Sequence, residues 1–299
     1  MIIGMKTHIR EKSKKIWRKI SLLQAAIGHK TISAASRWLL KESPPKRAYL
    51  CDYPQICQKI VPGDVLLVEG RSRISRIIKS ITQSPWSHAM LYIGRVNDIQ
   101  DPALQKILQK KCHYPSNTQL LIESEIGFGT IISPLEKYSY DHIRILRPQG
   151  LSNRDAELVI AFAVGRLGAH YNVKHVFDLA RFLVPWSFVP KKWGSYIFEH
   201  SASQPLEDIC SSMLAEAFQS IQFPILPLAT LNGEQHVELI ERNPRLFTPS
   251  DFDFSPYFSV IKYPIFPVNE KGYYQHLPWK RKMMSNDFEV VQLPNTKPD

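Results

Sequence analysis

Apolar positions recur at helical spacing through residues 9–27, where Ile16, Ile20, Leu23 and Ile27 fall on one face with Trp17 and Leu22 beside them. The spacing predicts an amphipathic helix that Gly28 stops. A second short helix is expected from the Thr31 cap to Leu40, with Ile32, Ala35, Trp38 and Leu39 as its apolar positions, and Ser43-Pro44-Pro45 closes this arm. From residue 61 the period changes. Pro62-Gly63-Asp64 is a turn releasing the buried strand Val65–Val68, and Ser72–Thr82 returns to helical spacing through Ile74, Ile77, Ile78 and Ile81. His88–Gly94 reads as a strand. The stretch 96–117 is too long for a hairpin loop and predicts a helix from Pro102 to about Lys111.

Three further strands are expected at Gln119–Glu125, Gly129–Ser133 and His142–Leu146, separated by Gly, Pro and Asp signals. Asn153–Leu167 predicts a helix with Leu158, Ala161, Phe162 and Gly165 on one side. Residues 184–207, rich in Pro, Trp, Phe and Tyr, read as irregular. Ile209–Gln219 predicts a helix whose buried side is Met213, Leu214, Ala217 and Phe218. Pro punctuates 223–268, and the remaining tail is polar. An arm, then a strand and helix, then successive antiparallel strands, then helices define an α+β class with no internal repeat. The organisation expected is a basic helical arm over 1–60, one domain over 61–268 and a tail over 269–299.

Composition sharpens this picture. Of 299 residues, 44% are apolar and 22% charged, which excludes a wholly disordered chain. No uncharged apolar run approaches the roughly 18 residues that a membrane span requires. Four cysteines in such a chain make no disulfide scaffold and suggest a reducing compartment. The formal net charge is +11, and residues 1–50 hold twelve Lys or Arg against Glu11 and Glu42. The arm is therefore cationic and the body nearly neutral. Charge so confined points to a local anionic partner, not to a nucleic-acid-binding domain. Residues 9–40 are read as a contact with an anionic membrane surface, or as a helical hairpin packed on the body with a solvated basic face. A secretory signal is not expected, because the charged stretch is long and Gln24 interrupts the apolar segment. The location expected is cytoplasmic, peripheral on a membrane where the arm docks.

Thiol chemistry needs a nucleophilic Cys, a His to take its proton and a polar group to fix the His ring. Cys210 alone among the cysteines opens a predicted helix, where unpaired N–H groups and the helix dipole favour thiolate. The backbone N–H groups of Cys210 and Ser211 are then candidate oxyanion donors. His88 begins a strand directly after Ser84-Pro85-Trp86-Ser87, and Glu123 lies within a predicted strand whose alternation puts Glu123 and Glu125 on one face. Taken singly, each has a plain structural reading: a buried core cysteine, a strand-end histidine, an edge-strand charge. Cys51-x5-Cys57 and Cys112-His113 are spaced too widely, or too sparsely, for a structural zinc site, so neither metal nor other cofactor is expected. Arg71, Arg73, Arg76 and Lys79 read as the wet face of a helix.

Together the motifs resemble the circularly permuted NlpC-type papain-like thiol hydrolases of the YiiX-like and YebB-like branch. The residues that carry the resemblance are Pro62-Gly63-Asp64, Ile74-Ser75-Arg76-Ile77-Ile78, Ser84-Pro85-Trp86-Ser87-His88, Tyr92-Ile93-Gly94 and Ile122-Glu123-Ser124. Pro134-Leu135, Gly168-Ala169-His170-Tyr171-Asn172, Cys210-Ser211-Ser212 and Thr248-Pro249-Ser250-Asp251-Phe252 with Ser255-Pro256 follow in order. Asn172 stands where that group often has Asp. The resemblance covers roughly 61–262, and it implies a papain-like fold: a small antiparallel sheet or barrel packed on the Cys helix. It also implies Cys210 as nucleophile, His88 as general base and then acid, and Glu123 as the residue orienting His88, with Glu125 a competitor. The implied reaction is cleavage of an amide or ester, with acyl transfer as an alternative. Substrate contacts are expected at Trp86, Tyr171 and Trp186, the last in an aromatic stretch able to wall an apolar groove. A reading of another class is a membrane-surface binding protein that keeps the fold without turnover.

Overall fold

The structure, a computed structural model, describes residues 41–44, 51–125, 128–169, 211–231, 236–267, 270–280, 283–286 and 289–292. The helices expected at 9–27 and 31–40, the aromatic segment 184–207, Tyr171, Trp186 and Cys210 itself lie outside them. In chain order the elements are α1 (Tyr53–Lys59), β1 (Val65–Glu69), α2 (Arg73–Thr82), β2 (His88–Gly94), α3 (Pro102–Lys111), β3 (Leu120–Glu125), β4 (Gly129–Pro134) and β5 (His142–Pro148). They continue with α4 (Asn153–Gly165), α5 (Ser211–Gln219), β6 (Leu228–Leu231), β7 (Val237–Ile240), α6 (Pro249–Phe254), β8 (Phe258–Ile261), β9 (Met283–Asn286) and β10 (Glu289–Gln292).

Six strands form one antiparallel sheet in the order β4-β3-β2-β1-β5-β8. The fold is α+β, as expected, but no barrel closes: among the described residues β4 pairs only with β3 and β8 only with β5, which leaves an open sheet. The turn that starts β1 also pins its neighbour. Gly63, at φ +93°, donates its N–H to the Tyr92 carbonyl (2.9 Å), and Tyr92 returns a bond to Asp64 O (2.9 Å). The buried Asp64 carboxylate accepts two bonds from Arg147 on β5, at 2.9 and 2.8 Å.

Strand alternation sends side chains into two cores. Val65 and Leu67 of β1, Leu91 and Ile93 of β2 and Ile122 of β3 pack under α4 and α5. Leu66 and Val68, Met90 and Tyr92, and Leu121 pack on the opposite face, against Ile56 of α1 and the 3-10 turn Leu135–Tyr138. Helix α5 buries Met213, Leu214, Ala217 and Phe218, the side that its sequence predicts. Helix α4 differs from expectation. It buries Ala156, Val159, Ile160, Ala163 and Val164, while Leu158 is 48% exposed and the Arg166 guanidinium lies over the Phe162 ring. Both sides of this helix are apolar, so its period offered two stripes, and the sheet takes the smaller and β-branched one.

Candidate active site

The first residue of β2 is where the chemistry gathers. Pro85 and Trp86 lead into the strand, and Ser87 ties its start to β1: Ser87 N donates to Val68 O (3.1 Å), and Gly70 N donates to Ser87 Oγ (3.0 Å). A Cβ on Gly70 would lie 2.8 Å from Ser87 Oγ and closer still to Ser75 Oγ, so a side chain there would displace both hydroxyls. Fixed in this way, His88 and Glu123 project from adjacent strands onto one face of the sheet.

His88 Nε2 and Glu123 Oε2 are 2.6 Å apart. A carboxylate accepts only, so Nε2 carries the proton. Glu123 is 1% exposed and belongs to an interior strand, which excludes the edge-strand reading. Tyr138 donates its hydroxyl to the same Oε2 (2.6 Å), and Lys137 Nζ binds Oε1 (2.9 Å). Burial alone would push the Glu123 carboxyl up. The His88 hydrogen bond, the charges of His88 and Lys137 and the Ser133 hydroxyl outweigh it and hold the group well below the usual carboxylate range. Glu125 is half-exposed and reaches Lys137 (3.5 Å); His88 meets Glu123.

His88, Glu123, Lys137 and Tyr138 line one side of a cleft whose other side includes Arg71 and Ser72 at the start of α2. Arg71 is held there by Asp141 (2.7 Å) and Glu42 (3.2 Å), with Ser43 N donating to Arg71 O (3.2 Å). Glu42 and Ser43 thus lie beside this cleft. Lys79 pairs with Glu69 (3.2 Å), so the cations around α2 do not act as one patch.

Two contacts bring the start of α5 towards the same end of the sheet. Ser211, buried beside the position of Cys210, donates Oγ to the Phe247 carbonyl (2.6 Å). Six residues further on, Asp253 of α6 accepts from Trp86 Nε1 (3.0 Å) and from Arg144 Nη1 (2.7 and 2.6 Å). Segment 247–253 is therefore fastened to the residue after Cys210 and to the residue two before His88. Asp251 closes a capping box with Thr248 that shapes this segment. The body of α5 packs on the face of the sheet opposite the one that carries His88.

Trp86, expected against substrate, is 1% exposed and covered by the Arg144 guanidinium (4.6 Å). In this structure its surface is taken up by packing. Cys51 donates to Ile143 O (3.1 Å), and burial raises both its thiol and that of Cys57. Lys137 and Tyr138 were not singled out in the sequence. No local pattern marks them, since they reach the carboxylate from the 3-10 turn Leu135–Tyr138.

An open antiparallel sheet between helices, with a buried carboxylate fixing a histidine at its end, places the molecule among α+β folds compatible with papain-like hydrolases. Residues 59–182 match the family described as "Permuted papain-like amidase enzyme, YaeF/YiiX, C92 family". The match spans less than half of the chain, and the matched family is described as one of enzymes. No curated protein matches the chain. The crystal structure of metalloprotein yiiX from Escherichia coli O157:H7 is similar at 13% identity and a TM-score of 0.39, over 68% of this chain and 98% of that one. A likeness that slight carries no argument about site or function. Among the described residues no helix is long and apolar enough to cross a membrane, and no three His, Cys, Asp or Glu side chains converge as metal ligands.

Proposed function

We propose that the protein is a cysteine hydrolase that cleaves an amide or ester through an acyl-enzyme on Cys210. The thiolate attacks the carbonyl carbon, and the oxyanion is received by the backbone N–H groups of Cys210 and Ser211. His88 takes the thiol proton, delivers it to the leaving amine or alcohol, and then removes a proton from the water that releases the acyl group. Glu123 orients the imidazole and stabilises its charged form. The observation that carries this reading is the 2.6 Å bond between His88 Nε2 and a carboxylate 1% exposed, the orienting contact that a general-base histidine needs.

An acylated or lipid-like substrate is favoured over a cell-wall-type peptide by the Phe182–Pro190 aromatic run and by the cationic arm. The test is mass analysis of Cys210 after brief incubation with fatty-acyl esters and with N-acyl peptides as alternative donors. An acyl adduct on Cys210, absent from Cys210→Ala, is the expected result; turnover of any donor without such an adduct refutes the mechanism. The arm's share is tested separately. Deleting residues 1–46 is expected to abolish sedimentation with anionic phosphatidylserine vesicles, and unchanged sedimentation removes the membrane from the account.

A further inference from the structure

A general base must be able to give up its proton near the working pH. A buried carboxylate 2.6 Å from an imidazole works against that, because it stabilises the imidazolium. Here the carboxylate is not alone. Lys137 Nζ lies 2.9 Å from Oε1, the oxygen that His88 does not use, while Tyr138 shares Oε2 with His88. Lys137 is partly covered and stands over the Tyr138 ring (5.2 Å), which restricts where its ammonium can go.

We propose that Lys137 is a positioning residue for the His88–Glu123 pair, which holds the carboxylate in register through Oε1 and tempers the negative field that it casts on the imidazole. The proposal rests on the assignment of His88 as general base. The mechanism is electrostatic as well as geometric. With the ammonium in place, His88 faces a carboxylate whose charge is largely balanced; with it removed, His88 faces an uncompensated anion in a buried site.

The other groups around the pair do not supply the same balance. Glu125 on β3 adds a second anion near Lys137, at 3.5 Å, and Ser133 on β4 contributes only a hydroxyl. Across the cleft Arg71 is matched by Asp141 and Glu42. Further along β1, Glu69 is shared by Lys79 and His142. Among the described residues, Lys137 is the cation in direct contact with Glu123 besides His88 itself. Burial opposes the Lys137 charge, yet Glu123 and Glu125 outweigh it and hold the amine above the ordinary lysine value, so the ammonium persists across the neutral range.

The test is NMR titration of the His88 ring in the full chain carrying Cys210→Ala, which reads the imidazole without using the thiol. Adding Lys137→Met is expected to raise the titration midpoint of His88 by about one pH unit, whereas Lys137→Arg leaves it near the parent. Lys137→Gln carries the same expectation as Lys137→Met and serves if the latter does not fold. A midpoint unmoved or lowered in folded Lys137→Met or Lys137→Gln overturns the proposal. A catalytic reading that fails does so elsewhere, in the absence of an acyl adduct on Cys210 of the unmutated protein, so the two failures are distinguishable.

Discussion

On the proposed mechanism, Cys210→Ala is expected to lower turnover of an acyl donor by ~10³-fold or more, with circular dichroism and thermal unfolding close to those of the parent. The size of the loss follows from the mechanism. Without sulfur there is no covalent intermediate, and His88 has only water to activate in a site arranged for attack by a side chain. The residual rate comes from binding and from the oxyanion N–H groups, which belong to the backbone and survive the substitution. Stability is spared because Cys210 contributes one small side chain, while the start of α5 is anchored next door by Ser211 on Phe247 O and by Met213 and Leu214 in the core. A Cys210→Ala protein that turns over at the parent rate excludes thiol catalysis.

Glu123→Gln is expected to lower the rate by on the order of 10²–10⁴-fold and to alter the acid limb of stability. An amide at this position can donate as readily as accept, so the ring is no longer obliged to carry its proton on Nε2. Lys137 also loses a charged partner in a half-buried site. The pH dependence has a definite sign. The Glu123 carboxyl is held below its ordinary value of 4.5 in the folded protein, so its ionised form contributes stability fully above that value. The contribution is lost as pH falls from there through the lower folded-state value. Urea unfolding between pH 6 and pH 3 should therefore show the parent losing more stability than Glu123→Gln. Parallel curves would mean that Glu123 is not held as an anion by His88 and Lys137.

Much of the sheet was legible because its strands are bounded by strong punctuation. Pro62-Gly63-Asp64 and Ser84-Pro85 precede β1 and β2, and β2 spans the residues predicted for it, His88–Gly94. The helix Pro102–Lys111 was likewise legible from its Pro start and its period. The α4 face was not, since an apolar helix packs by shape against its neighbours and its moment says little. The closure of the sheet was not legible either, because whether end strands meet is decided by twist and by what covers the edges.

At the site, His88 and Glu123 were recoverable from a strand-end histidine and an acid amid apolar residues, and the structure brings these two into contact. Lys137 and Tyr138 come from a turn between β4 and β5, where no local pattern marks a residue that reaches back to a buried carboxylate. The role of Asp253 was hidden for a similar reason: its partner Trp86 lies 167 positions earlier in the chain. Contacts that distant leave no periodic trace.

In the proposed mechanism the Cys210 thiol and the His88 imidazole form one reactive unit. This is tested most directly by the rate of iodoacetamide alkylation of each cysteine as a function of pH, with and without His88→Ala. Cys51 and Cys57 serve as internal references, since burial raises both thiols and keeps them protonated and slow at neutral pH. Cys210 is expected to be alkylated first, at a pH well below that of an ordinary thiol, and His88→Ala is expected to abolish this advantage. A Cys210 that reacts no faster than the references, or whose pH dependence is unchanged by His88→Ala, would contradict the mechanism.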